Sequence, residues 1–109
     1  MNSRTLAAEN LSSPQSDGQT KDRYEPLAHL VAVMDRTVDL LIAKANAGML
    51  WPELYARARR LLQSLPLATG GFATAAALLA NSLQYARRKE YGAAAFELRL
   101  LRNQLAAAC

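Results

Sequence analysis

Hydrophobic residues recur at spacings of three and four from residue 26 onward, and prolines and glycines divide them into four segments. This spacing places side chains on one side of an α-helix, whereas a half-buried strand requires strict alternation. Alanine and leucine are the most frequent residues, and the β-branched apolar residues are only Val31, Val33, Val38 and Ile42. Because sheets favour β-branched and aromatic side chains, the sequence predicts an all-α fold, a small bundle of about four short helices in antiparallel hairpins.

The length of 109 residues fits one domain. Residues 1–23 are rich in polar side chains around Pro14 and Gly18, which predicts a flexible N-terminal arm, and residues 24–109 form the single helical domain. The net charge of +4 is mild, and no apolar run is long enough to span a bilayer. The first residues lack the continuous apolar core of a signal peptide, so we expect a cytoplasmic protein.

Local signals give the limits of the four helices, predicted at residues 26–48, 52–65, 72–88 and 93–107. Pro26 and Pro52 are suited to a first helical turn, where the missing N–H has no partner. Gly48 suits the residue that follows a helix, and Pro66 disfavours helical geometry in the residue before it. Thr69 is a candidate N-cap for the third helix.

Each predicted helix has one apolar stripe, which we assign to the core. The stripe of the first helix comprises Leu27, Leu30, Val31, Met34, Val38, Leu41, Ile42 and Ala45. The second comprises Leu54, Tyr55, Ala58, Leu61, Leu62 and Leu65. The third comprises Phe72, Ala76, Leu79, Leu83 and Ala86, and the fourth Ala94, Leu98, Leu101 and Leu105.

Two helices carry apolar residues outside these stripes. Val33 and Leu40 lie nearly opposite the core side of the first helix, and Phe96 and Leu100 lie well away from the stripe of the fourth. A small helical bundle cannot bury both sides of a helix, so we expect contacts with other chains. Phe96 and Leu100 are the predicted homodimer contacts. The predicted partner surface comprises Val33, Leu40, Leu78 and Tyr85.

The spacing of Tyr85, Lys89, Tyr91, Ala94 and Leu98 resembles part of a tetratricopeptide helical hairpin. The chain has no second copy of this pattern, and position 89 is Lys where the repeat usually has Gly. A solenoid needs about three repeats to bury its core. We therefore interpret the pattern as an antiparallel helix pair and not as a repeat protein.

Basic residues suggest a second class of function. Arg57, Arg60, Arg87 and Arg88 could contact the phosphates of a nucleic acid. Arg57 and Arg60 form one cluster, and Arg87 and Arg88 form another. Both clusters also fall near predicted helix C-termini, where the helix dipole favours cations. Since no aromatic platform or helix-turn-helix accompanies them, we do not expect direct binding of nucleic acid.

The residues that commonly carry catalysis are few. His29 lies one turn after Glu25, and Asp35 lies one turn before Asp39, but a catalytic metal normally needs three protein ligands. The single cysteine, Cys109, cannot form an internal disulfide, and we expect a free thiol. We therefore expect no enzymatic activity, no metal and no cofactor.

The chain resembles the QslA-type quorum-sensing anti-activators, a group of small helical proteins. The resemblance covers the full length, including residues 1–5, Leu50-Trp51-Pro52-Glu53 and residues 106–109. It implies binding to a LuxR-type transcription activator similar to LasR, through the ligand-binding domain of the activator. Such binding blocks the dimerisation of the activator and so prevents its binding to DNA. A small basic nucleic-acid-binding protein and a structural homo-oligomer remain as alternatives.

Overall fold

The computed structural model describes the backbone of residues 15–108 and the side chains of residues 26–107. Residues 15–108 form four α-helices and no strand: α1 (Gln15–Asn46), α2 (Pro52–Ser64), α3 (Thr69–Arg87) and α4 (Tyr91–Ala108). The predicted all-α class is therefore confirmed. No helix within this part of the chain is both long and apolar enough to cross a membrane.

Helix α1 begins earlier than the sequence predicts. It starts at Gln15, and Pro26 lies inside it. The fixed φ of proline is compatible with a helix, although inside α1 the missing N–H of Pro26 removes the bond to the carbonyl of Asp22 and the ring crowds that carbonyl. A proline therefore marks a favourable first turn without requiring the helix to start there. The predicted flexible arm spans residues 1–23. Helix α1 includes residues 15–23, and residues 1–14 lie outside the described part, so the flexibility of the arm stays a prediction.

Helices α1 and α3 end in the same left-handed turn. At the end of α1, Gly48 has φ +71°, and the N–H of Met49 donates to the carbonyl of Lys44 at 2.9 Å. At the end of α3, Lys89 has φ +64°, and the N–H of Glu90 donates to the carbonyl of Tyr85 at 2.9 Å. Both are Schellman motifs, in which glycine normally adopts the left-handed conformation. The predicted stop at Gly48 is thus confirmed, and Lys89 adopts the same geometry with a side chain.

The start of α3 differs from the prediction. The helix begins at Thr69, three residues before the predicted start, and Ala68 is the N-cap residue without a side-chain hydrogen bond. The predicted N-cap role of Thr69 is therefore wrong. In the first turn the carbonyl of Ala68 accepts a hydrogen bond from the N–H of Phe72 at 2.8 Å, and the carbonyl of Gly70 accepts one from the Thr74 hydroxyl at 3.0 Å. Helix α2 matches its predicted limits within one residue.

The core contains most of the predicted stripes. The main cluster brings together buried residues from all four helices: Met34, Val38, Leu41, Ile42, Leu54, Tyr55, Ala58, Leu62, Leu65, Ala75, Leu79, Leu98, Leu101 and Leu105. A second cluster consists of small residues, Ala45, Ala86, Ala94 and Ala95, where α1, α3 and α4 meet. Small side chains allow helices to approach closely.

Two parts of the predicted core are corrected. Leu27 is 36% exposed, because α1 has 32 residues and extends beyond the shorter helices that pack on it. Phe72, Ala76 and Leu83 are only half-buried, and α3 instead turns Ala75 and Ser82 inward. The buried side of α3 is therefore rotated from the predicted stripe, because α3 must contact α4 on one side and α2 on the other.

A buried serine connects three helices. The Ser82 hydroxyl, on α3, donates to the carbonyl oxygen of Ala94 on α4 at 2.9 Å. Since this uses its one hydrogen, the Tyr55 hydroxyl on α2 donates to Ser82 Oγ at 2.8 Å. The amide of Asn81 donates to the carboxylate of Glu97 at 3.2 Å. Asn81 precedes Ser82 on α3, whereas Glu97 follows Ala94 on α4, so the two helices run in opposite directions. The interpretation of this segment as an antiparallel helix pair is confirmed.

Candidate protein-binding surfaces

Three of the six predicted interface residues are exposed in the folded chain. Phe96 has 52% of its surface accessible, Leu40 has 41% and Leu100 has 38%. A single exposed hydrophobic residue is ordinary, but large side chains grouped on a helix are typical of contact surfaces. The structure thus leaves these three side chains available for contact with another molecule.

The other three predicted residues are half-buried within the chain. Leu78 packs against the main core, and Tyr85 packs against the alanine cluster. Val33 is half-buried on α1, where its carbonyl accepts a hydrogen bond from the Thr37 hydroxyl at 2.7 Å. Their role in binding stays a prediction, and their exposed area is smaller than that of Leu40, Phe96 and Leu100.

The first surface, which we call the α4 surface, consists of Phe96 and Leu100. These residues are one turn apart, and each lies about 160° around α4 from the fully buried Leu98. The small residues Ala94 and Ala95 are buried on the inner side of this helix, whereas the larger Phe96 is exposed. Full burial of side chains this large stabilises a contact by about 1.5–3 kcal/mol each.

The second surface, which we call the α1 surface, consists of Leu40, Lys44 and Trp51. The Lys44 Nζ atom lies 5.2 Å from the centre of the Trp51 ring, which is within the range of a cation–π contact. Leu40 is one turn before Lys44 on the same side of α1. Trp51 is 42% exposed and precedes Pro52 in an extended conformation. The ring is therefore held on the surface of α1 and is accessible to a partner.

Sequence reasoning assigned no interface role to Trp51, because residues 49–51 lie between the predicted helices 26–48 and 52–65. The sequence did contain a signal for an exposed Trp51. A tryptophan directly before a helix-starting proline lies outside that helix and cannot join its apolar stripe. Tryptophan and arginine are enriched among the residues that dominate binding energy at protein interfaces. Met49 in the same link is also exposed, at 51%.

The two surfaces face away from each other. Asp39 on α1 forms an exposed ion pair with Arg102 on α4 at 2.8 Å, and Ala45 packs in the alanine cluster, so both mark the α4 side of α1. Leu40 lies about 100° around α1 from Asp39 and about 140° from Ala45. On α4, Phe96 lies about 120° from Arg102. A partner bound at one surface therefore leaves the other accessible.

The basic residues of the nucleic-acid alternative are distributed over different sides of the molecule. Arg88 forms an exposed ion pair with Glu90 at 3.4 Å and lies over the Tyr85 ring at 5.1 Å. Arg87 faces the space between α2 and α3. Arg57 and Arg60 lie about 160° and 100° around α2 from Arg59, which lines that same space. These side chains do not form one continuous basic surface.

Tyr55 and Asp39 are titratable side chains that make contacts within the fold. Burial raises the pKa of Tyr55 above its usual value, and the hydrogen bond with Ser82 opposes this effect. Asp39 pairs with Arg102. Within residues 26–107, no group of three His, Cys, Asp or Glu side chains could hold a metal ion. Cys109 lies outside the described residues.

No protein-family model, curated protein or solved structure matches this chain. Its surfaces, its helical scaffold and the resemblance in its sequence are therefore the basis for a proposed function.

Proposed function

We propose that this protein is a quorum-sensing anti-activator. It binds the ligand-binding domain of a LuxR-type transcription activator similar to LasR and blocks the dimerisation of that activator. The class of partner comes from the resemblance to QslA-type proteins. The observation that carries a binding function is the exposure of large apolar side chains, Leu40, Trp51 and Phe96, on the surface of one helical scaffold.

The two surfaces have different roles in this proposal. The α4 surface joins two copies of the chain in a homodimer, and the α1 surface contacts the activator. Phe96 and Trp51 serve as the anchors, because large rigid aromatic side chains lose little conformational entropy on binding. Because helices α1 and α4 are packed into one core, both anchors are held in place before a partner arrives, which lowers the cost of association.

Blocking dimerisation is sufficient to release the DNA. A dimeric regulator binds two half-sites, and the separation of the half-sites matches the symmetry of the dimer. An activator held as a single subunit contacts one half-site and loses most of its affinity. The anti-activator therefore acts in the cytoplasm without contacting DNA, and the proposal assigns no nucleic-acid contact to Arg57, Arg60, Arg87 or Arg88.

A gel shift tests this function. The promoter fragment is incubated with a LuxR-type activator and its acyl-homoserine-lactone signal, and this protein is then added. The proposal predicts that the protein alone does not shift the fragment and that it releases the fragment from the activator. A shift by the protein alone that weakens steeply between about 50 and 200 mM salt would support the nucleic-acid alternative and contradict the proposal.

Two substitutions assign the roles of the surfaces. Leu40→Asp is expected to weaken release of the DNA by about tenfold or more, because a buried unpaired carboxylate is costly. Phe96→Asp is expected to reduce the mass measured by light scattering to that of a monomer. Ala106→Asp is the matched control, since Ala106 is exposed on α4 and lies about 120° from Leu100. If all three variants behave as the wild type, the assignment of both surfaces is wrong.

A further inference from the structure

A groove runs between α2 and α3 on a side of the molecule that neither the α1 surface nor the α4 surface uses. Its volume is about 790 Å³. The half-buried Phe72, Ala76 and Leu83 line it from α3, and these are the residues whose sequence pattern predicts a core position. The apolar stripe of α3 is thus wider than the part that α2 covers.

Small side chains line much of the groove. Ala76, Ala77 and Ala80 lie on α3, and Ala56 lies on α2. Alanines let the backbone of another helix approach closely, whereas long side chains would hold it away. The groove is partly open to solvent, so an extended occupant such as a helix can enter from the side.

The charges of the groove all have one sign. Arg59 lies on the α2 wall and Arg87 lies on the α3 wall, and both are exposed. No Asp or Glu is among the residues that line the groove, and the other polar lining residues are Gln63 and Gln84. An occupant with carboxylates beside its apolar stripe would complement these walls.

The positions of the two arginines set a spacing for the occupant. The contact between Tyr55 and Ser82 fixes the register of α2 against α3. Helices α2 and α3 are joined by the short link of residues 65–68, as in an antiparallel helical hairpin. Arg59 lies four residues after Tyr55 and Arg87 lies five residues after Ser82, so their backbone positions are about 13 Å apart along the helix axes. This distance is about nine residues of a helix, and residues nine apart lie on opposite flanks. Opposite flanks face opposite walls, which is the arrangement of Arg59 and Arg87.

We propose that the α2–α3 groove binds an amphipathic helix of a partner protein, with an apolar stripe in the groove and carboxylates nine residues apart on its two flanks. This inference goes beyond the proposed function and does not depend on it. The residues involved are distinct from Leu40, Trp51 and Phe96.

Synthetic helical peptides test the proposal on the full chain. The first peptide has a leucine stripe and Glu residues nine apart on opposite flanks, the second has Lys at the same two positions, and the third has both Glu residues on one flank. Affinity is measured by fluorescence anisotropy. We expect the first peptide to bind about tenfold more tightly than the second, because two attractive contacts become repulsive. Equal binding of the first two peptides would overturn the proposal.

Substitutions in the groove make the test specific. Arg59→Glu with Arg87→Glu should reverse the preference between the Glu and Lys peptides. Ala80→Trp should abolish binding of both by filling the groove, and Arg57→Glu on the other side of α2 is the matched control that leaves the preference unchanged. Peptide binding that none of these variants alters would place the contact elsewhere and overturn the proposal.

Two other occupants are separate outcomes of the same experiment. If Leu6→Asp with Leu11→Asp tightens binding of the Glu peptide, residues 1–14 of the chain itself compete for the groove. If Ala80→Trp lowers the mass of the protein in solution, a second copy of the chain occupies it. Either result would overturn a partner helix as the occupant. Release of DNA in the gel shift is an independent readout, so failure here leaves the anti-activator proposal to its own test.

Discussion

The two sides of α3 differ in how closely they contact the neighbouring helix. On one side, Ala86 meets Ala94 and Ala95, and the contact is closed to solvent. On the other side, Ala76 and Ala80 face α2 across an open groove. Both sides are rich in alanine. Small side chains therefore permit a neighbouring helix to approach closely, but they do not by themselves bring it close.

The difference depends on the side chains that bridge each contact. Ser82 reaches the carbonyl of Ala94 with a short side chain, which requires α3 and α4 to be close. The same Ser82 is reached from α2 by the long side chain of Tyr55, which holds α2 at a distance. One buried hydroxyl therefore supports a tight contact on one side and a wide one on the other.

The largest expected effect comes from enlarging one alanine on each side. Ala86→Leu should lower the free energy of unfolding by about 3 kcal/mol, because the closed contact has no space for three more carbons. Ala80→Leu on the same helix should change it by less than about 0.5 kcal/mol, since its side chain faces the open groove. Urea unfolding of both variants measures the contrast. Similar losses in the two variants would show that the groove is closed in solution.

Removal of the bridging hydroxyl should have the next largest effect. Ser82→Ala leaves the buried Tyr55 hydroxyl without its acceptor, so we expect a loss of about 2 kcal/mol. Adding Tyr55→Phe to Ser82→Ala should cost little more, because it removes the unpaired hydroxyl. A double-mutant cycle by denaturant unfolding measures this coupling. Additive losses would contradict the hydrogen-bonded chain.

The turn that closes α3 onto α4 can be improved. Lys89→Gly should raise the free energy of unfolding by about 1 kcal/mol, because glycine adopts the left-handed conformation without strain. Gly48→Ala is the opposite change at the equivalent turn after α1 and should lower stability by about 1 kcal/mol. The two midpoints of unfolding should therefore shift in opposite directions. If Lys89→Gly is less stable than the wild type, the Lys89 side chain stabilises the fold by more than its left-handed backbone conformation costs.

The smallest expected effect is a dependence on alkaline pH. Burial raises the pKa of folded Tyr55 above the usual 10.0, so the unfolded chain releases this proton first as pH rises. The contribution is present below pH 10 and is lost as pH rises through the higher pKa of the folded state. Unfolding of the wild type and Tyr55→Phe should show a steeper loss for the wild type above about pH 10. Parallel pH profiles would contradict this role.

Periodicity was sufficient to predict the fold class and most of the core. The stripes of α2 and α4 are buried as their spacing predicts, apart from the half-buried Leu61. Helix α3 has two neighbours at different distances, so its buried side follows Ala75 and Ser82 instead of Phe72 and Leu83. The spacing of apolar residues within one helix does not show where the neighbouring helices pack.

The candidate surfaces could be predicted in part. Leu40, Phe96 and Leu100 fall outside the apolar stripes, and all three are exposed. Leu78 and Tyr85 belong to the same predicted partner surface as Leu40, yet both are half-buried, Leu78 against the main core and Tyr85 against the alanine cluster. Trp51 lies outside any helix, so helical periodicity gives no information about it. Its position depends on the turn at Gly48 and on the contact with Lys44.

Native mass spectrometry tests whether this protein keeps a LuxR-type activator from pairing with itself, as we propose. The signal-loaded activator is mixed with the Phe96→Asp variant, which is expected to be monomeric and to retain the α1 surface. Activator dimers should disappear in favour of a complex with one copy of each chain. Persistence of activator dimers at saturating concentrations, with or without this protein attached, would rule out anti-activation by blocked dimerisation.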